Sequence, residues 1–138
     1  MDEKLELLRS VPLFADLDER SLQAISLLAR EVDAPAGEIL MLEGEPGDAF
    51  YVIVEGTVRV QKGERPIRSM TAGGFLGEVA LIDRRPRTAT ATCTTDCRLL
   101  VVERHEFDRL LDTFPAIERR VRATIMRRLR GPEPHLLG

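Results

Sequence analysis

Between residues 31 and 63 a glycine or proline arrives every few positions: EVDAPAGEILMLEGEPGDAFYVIVEGTVRVQKG. No other feature constrains the fold as much. A stretch cut at Pro35, Gly37, Gly44, Pro46, Gly47 and Gly56 cannot carry a helix of ordinary length, because proline removes a backbone donor and glycine resists ordering. The segments between the breaks read as short strands over 38–42, 49–55 and 57–62, joined by turns at 35–37, 44–47 and 56. Residues 65–70 return from a turn at Gly63-Glu64, and Pro66 marks that strand as an edge. Residues 88–93 and 97–103 alternate well enough for two more. Several short strands at this spacing suggest a sandwich or jelly roll.

Helical periodicity frames this region. Leu5, Leu7 and Leu8 precede a break at Val11-Pro12, and Asp18 is placed to cap a helix carrying Leu22, Ile25, Leu28 and Ala29. Further on, HEFDRLLDTFP sets Phe107, Leu110, Leu111 and Phe114 on one side before Pro115 interrupts. Ile117, Val121, Ile125 and Leu129 follow at near-helical spacing, and Gly131-Pro132 ends that helix. The 138 residues are expected to form one domain: a helical opening over 1–31, a β region over 32–104, C-terminal helices over 105–130 and a loose tail over 131–138. The apolar stripe of the last helix either covers the β core or meets a second copy in a homodimer. Its arginines, Arg119, Arg120, Arg122, Arg127, Arg128 and Arg130, read either as a docking face for an unknown acidic partner or as a solvated face favoured by the helix dipole, and the second is preferred.

Several classes of function are disfavoured. A net charge of −3 argues against a general nucleic-acid coat. No run of about 18 apolar residues is present, and the opening MDEKLELLRS does not read as a signal peptide, so the expected location is cytoplasmic with no membrane partner. Cys93 and Cys97, the two cysteines, do not suffice for a structural zinc or iron–sulfur site. They either pair across TCTTDC or stay reduced, the second reading suiting a cytosolic chain. A metal-dependent enzyme on a jelly roll wants clustered histidines. The chain has two, His105 and His135, and neither falls in an expected strand. No catalytic residue and no metal are expected.

The chemistry concentrates in FLGEVALIDRRPRTAT, residues 75–90. Gly73, Gly74 and Gly77 let backbone approach a ligand closely. The run from Glu78 to Ile82 suits a single helical turn, whose free amides attract an anion. Pro86 positions Arg87, whose planar fork suits phosphate. A carboxylate beside an anion site makes sense when the ligand also brings hydroxyls, as a ribose next to a phosphodiester does. The plainer reading is an ordinary Glu–Arg pair on a loop, of small energetic worth.

This segment resembles the phosphate-binding cassette of the cyclic nucleotide-binding domain family, whose pattern of F-G-E-aliphatic-A-L followed by P-R-[ST/A]-A is met here with Leu76 inserted before the glycine. The glycines and aromatics of LEGEPGDAFYVIVEGTVRV and the opening LRSVPLFADLDERSLQAI match as well, so the resemblance runs from about Leu8 to Leu129. It implies a mainly β fold: an eight-stranded antiparallel jelly-roll β-barrel with N-terminal helices and one or two C-terminal helices. It implies a cyclic nucleotide sensor, a regulatory module of signal transduction and not an enzyme. By motif, Glu78 would bind the ribose 2′-hydroxyl and Arg87 an exocyclic phosphate oxygen. Amides of Gly77, Glu78, Ala80, Thr88 and Ala89 would hold the remaining sugar-phosphate, with Val79 in the same run. Val60 and Ile67 either pack on the base or are core residues of a strand pair. The Thr88 hydroxyl can serve cGMP or cAMP. cAMP is favoured as the commoner ligand among bacterial relatives, and the arginine-rich style suits a bacterial origin.

The family's gene regulators continue into a helix-turn-helix, which PEPHLLG cannot build, so direct DNA binding is not expected. The polar pair of the family's last helix would fall near Pro132 and Glu133. The chain is expected to be a free-standing binding protein or to have lost an output domain. The implied mechanism has nucleotide order the cassette, Leu81 and Ile82 repack, and the helices after Arg104 move. The alternative is a degenerate member that keeps the fold only for protein–protein contacts.

Overall fold

The computed structural model describes residues 3–11, 14, 15, 17–77 and 86–129. Two helices lead: α1, Glu3–Arg9, and α2, Glu19–Leu28. Asp18 caps α2 as its position predicts, its carboxylate accepting from the Ser21 N–H at 2.8 Å. Hydrogen bonds from Ser21, first from its side chain and then from its N–H, hold the Asp18 carboxyl below its usual range. Eight strands follow among the described residues: β1 Arg30–Ala34, β2 Ile39–Met41, β3 Ala49–Glu55, β4 Val58–Lys62, β5 Arg65–Met70, β6 Phe75–Leu76, β7 Thr90–Cys93 and β8 Cys97–Glu103. Helices α3, Arg104–Thr113, and α4, Pro115–Leu129, close the described chain. Pro115 thus opens a helix, where its missing N–H loses nothing. No helix among the described residues is long and apolar enough to cross a membrane.

The strands divide into two antiparallel four-stranded sheets, ordered β1-β8-β3-β6 and β2-β7-β4-β5. The expected closed jelly-roll barrel is therefore incorrect: neither sheet closes on itself, and the fold is a mixed α/β arrangement of two open sheets with helices at both ends. Closure would need hydrogen bonds across both seams, β1 to β2 and β6 to β5. Those edges are poorly built for it. Strand β6 has two residues, β2 has three with an irregular register, and β5 carries Pro66, which cannot donate. Strand β1 was not anticipated as a strand, because Glu31 and Asp33 break its apolar pattern; it pairs with β8 and shares the cation of Arg98, at 3.6 Å from Asp33 and 4.0 Å from Glu31.

Two apolar layers result. Alternation along β3 sends Phe50 and Val52 to the helices and Ile53 to the other sheet. Phe14 meets Phe50 edge-on at 5.6 Å, and Phe107 of α3 at 6.4 Å, which joins the leading and trailing helices over one sheet. Strand β8 contributes to both layers, so Leu99, Leu100, Val101 and Val102 are all buried. Ile117 of α4, 1% exposed, joins the helical layer, so the first residue of the expected dimer stripe covers the core. The side chains of Val121, Ile125 and Leu129 lie outside the description. Gly56 lets the chain cross from β3 to β4, with φ +104° and Asp96 O and Cys97 Sγ each 2.6 Å from where a Cβ would stand.

Both cysteines are free thiols. Burial pushes the Cys93 thiol up to about 12, and its hydrogen bond with Cys97 adds to this. The folded chain thus keeps a proton that the unfolded chain gives up near 9.0. The sign follows: this contribution is intact below pH 9.0 and is lost as pH rises toward 12. Urea denaturation at pH 8 and 10.5 should show stability falling by roughly 1–2 kcal/mol from this group. A Cys93→Ala chain with the same pH slope would contradict it.

Candidate functional site

Arg87 sits just ahead of β7, and its backbone is tied to the turn after β2. Pro86 and Pro46 form an isolated antiparallel bridge. Beside it the Arg87 N–H donates to the Glu45 carbonyl at 2.8 Å, and the Gly44 N–H donates to the Arg87 carbonyl at 2.9 Å. The same turn is fixed twice more: the Glu43 N–H donates to Thr90 Oγ1 at 3.0 Å, and the Glu43 carboxylate accepts from the Gly63 N–H at 2.8 Å.

The Arg87 side chain points inward and is 6% exposed. Its Nη2 donates to the Ala49 carbonyl at 2.6 Å, at the first residue of β3. Gly77, directly after β6, crosses this guanidinium at φ +80°. A Cβ there would stand 2.5 Å from Arg87 Nη1 and 2.9 Å from Ala49 O. Glycine is therefore required twice at Gly77, for the left-handed backbone and for the close approach. A buried guanidinium aimed by a fixed carbonyl and covered by bare backbone is planar, charged and shielded from water, the chemistry that could meet an oxyanion.

Of the residues singled out in the sequence, the structure sets Gly77 against the Arg87 guanidinium. Thr88 is exposed beside them, and Ala89 is buried in the layer between the sheets. Val60 and Ile67 do not share an environment. Val60, paired with Arg68 and Ala91, is 3% exposed in the inter-sheet layer. Ile67 falls where the β4–β5 register shifts and is 45% exposed. Glu78, Val79 and Ala80, and with them Leu81 and Ile82, lie outside the described residues. Nothing in the motif points to the Ala49 carbonyl or the 44–46 backbone, which the fold places against Arg87. The available signal was Ala49 itself, a small residue at the head of a strand of large ones.

One triad among the described residues could hold a metal ion: Glu103, His105 and Glu106 place ligand atoms within 4.8 Å of one another. Glu103 is already engaged by Arg30 at 3.3 Å, and the group lies at the surface where β8 passes into α3. It shares no residue with the Arg87 cradle.

Residues 31–114 match the family described as the cyclic nucleotide-binding domain. A cyclic nucleotide-gated potassium channel of Rhizobium etli is 37% identical over 127 residues, covering 92% of this chain and 36% of the channel. The cAMP-dependent protein kinase regulatory subunit of Aspergillus niger is 36% identical over 115 residues, 82% of this chain and 28% of the subunit. Among solved structures, the N-terminal domain of a transcriptional regulator from Streptomyces coelicolor superposes with a TM-score of 0.81 at 32% identity, covering 90% of this chain and 92% of that one. The chain thus spans about a third of the length of these two curated relatives.

Proposed function

The chain belongs to the cyclic nucleotide-binding domain family, a family of regulatory modules and not of catalysts, and from that premise we propose that it senses cAMP through the Arg87–Gly77 cradle. The observation that carries this reading is the buried Arg87 guanidinium seated against the bare backbone of Gly77. In it, Arg87 pairs with an exocyclic phosphate oxygen, and the amides of Gly77, Glu78, Ala80, Thr88 and Ala89 hold the rest of the sugar-phosphate, with Val79 in the same run. The Glu78 carboxylate takes the ribose hydroxyl. Val60 walls the base from the core side, and Ile67 from the solvent side. cAMP is preferred over cGMP because the kinase regulatory subunit among the relatives is named for cAMP.

A physical route links the cradle to the trailing helices. The turn that holds the Arg87 backbone continues through Gly47 and Asp48 to Ala49. The first residue of α3, Arg104, donates from its N–H to the Asp48 carbonyl at 2.9 Å and from Nη1 to the Gly47 carbonyl at 3.2 Å. Its buried Nε has no hydrogen-bond partner among the described residues, and its nearest carboxylate is Asp108, 3.9 Å away. Phosphate that draws on Arg87 bears on residues 44–49, and through them on the start of α3. Nucleotide shifts this equilibrium only by binding one arrangement better than the other. In this reading the rearranged helices present α4 to a second copy or to another protein.

Calorimetry with cAMP and cGMP in parallel tests the reading. cAMP is expected to bind one site per chain and more tightly than cGMP. At 100 times its dissociation constant it should stabilise the fold by about 2.7 kcal/mol. Hydrogen exchange over 106–129 should change with it. Tighter binding of cGMP would reverse the ligand assignment. Absence of binding by either at millimolar concentration would leave the fold as a protein-contact module.

A further inference from the structure

The two sheets leave a second seam open, on the side away from β5 and β6, where β1 faces β2. A cleft of about 300 Å³ lies there. Neither Gly77 nor Arg87 of the cradle lines it. Val32, Leu40, Leu99 and Val101 supply apolar walls. The rim is acidic: Glu38, Asp48 and Glu103, against Arg30 alone. Arg30 is already engaged with Glu103 at 3.3 Å, whereas Glu38 and Asp48 have no ion-pair partner among the described residues.

We propose that this cleft is a second ligand site and that it takes a small organic ammonium: one short apolar body between the sheets, with its charged head on Glu38 and Asp48. The volume sits at the small end of ligand pockets and suits a single ring. The charge follows from the rim, since two unpaired carboxylates repel anions and leave a neutral polar group with weaker partners than a cation finds. Tyr51 stands among these groups. It lines the cleft and donates from its hydroxyl to the Leu40 carbonyl at 3.1 Å. Burial holds its phenol above the usual range; Arg87 opposes this, and the carboxylates of Asp48, Glu38 and Glu103 reinforce it. Ala49 is common to both sites, lining this cleft while its carbonyl receives Arg87.

The chain carries its own probe of occupancy, because Tyr51 is its one tyrosine and it has no tryptophan. Cyclohexylmethylamine, cyclohexylmethanol and cyclohexanecarboxylate have similar bodies, carry positive, neutral and negative heads, and are optically silent where tyrosine emits. Titration of each against the full chain, read by tyrosine emission and in parallel by calorimetry, separates them. The amine is expected to bind saturably and about tenfold tighter than the alcohol, and the carboxylate not at all. The double variant Glu38→Gln, Asp48→Asn should weaken the amine about tenfold. Both positions are exposed, and circular dichroism should show the fold unchanged. Equal affinity for the three compounds overturns the proposal, as does an undiminished affinity in the double variant. So does the absence of saturable binding by both readouts. None of these outcomes depends on whether cAMP binds at Arg87.

Discussion

An Arg87→Leu chain is expected to lose at least a hundredfold in cyclic nucleotide affinity while remaining folded. The guanidinium is 6% exposed, so its pairing with a phosphate is desolvated and charge-assisted. Truncating one partner of such a pair costs roughly 2–5 kcal/mol, because the other charge is left buried without its partner. Effects on the empty fold run in opposite directions. Leucine leaves the Ala49 carbonyl without its 2.6 Å donor, at a cost of roughly 1–3 kcal/mol. It also removes a buried charge, whose desolvation opposes folding. The net loss of stability should therefore be small beside the loss of binding. Arg87→Lys keeps the charge and gives up the fork, so it should fall between the two. Calorimetry reads the affinity and urea denaturation the stability. Affinity within threefold of the parent chain would remove Arg87 from the site.

The strands that proved most legible are those whose pattern is complete within a few residues. Residues 49–55, 65–70 and 97–103 stand in the structure with the bounds their sequence suggests. Strand β6 escaped because two residues carry no period, and β1 because its acids answer to Arg98 on a neighbour distant in sequence. The failure of closure is of another kind. Alternation says which side of a strand is buried, but not whether an edge finds a partner, which depends on short, bulged or proline-bearing strands meeting across a seam. Within the candidate site, Gly77 and Arg87 were legible because their residue types are unusual for their places. The Ala49 carbonyl was not, since every residue carries one and only the fold selects among them. The β4–β5 register shift likewise separates Val60 from Ile67 in a way that spacing alone does not show.

Gly77→Ala should impair binding by a route distinct from a general loss of stability, and Gly56→Ala makes the distinction measurable. Both glycines have positive φ, at +80° and +104°, where an L side chain costs about 1–2 kcal/mol. They differ in what a Cβ would meet. At Gly56 the obstacles are Asp96 O and Cys97 Sγ, each at 2.6 Å, and Cys97 Cα at 2.9 Å, mostly backbone that cannot yield without disturbing the β7–β8 turn. A loss of roughly 3 kcal/mol or more is expected there, in line with strain and overpacking combined. None of those atoms belongs to the cradle, so the molecules that remain folded should bind nucleotide as the parent does. At Gly77 the nearest obstacle is the Arg87 guanidinium, the far end of a flexible side chain, which can swing aside; the backbone supplies one close atom, Ala49 O at 2.9 Å, where Gly56 meets two, Asp96 O and Cys97 Cα. Stability should then fall less than at Gly56, while affinity falls by about tenfold or more, because the displaced guanidinium no longer stands where phosphate needs it. The discriminating measurement is affinity at a temperature where both variants are fully folded. Should Gly77→Ala keep the parent's affinity there and lose stability as Gly56→Ala does, Gly77 serves only the backbone, and the oxyanion receptor must be sought elsewhere on the chain.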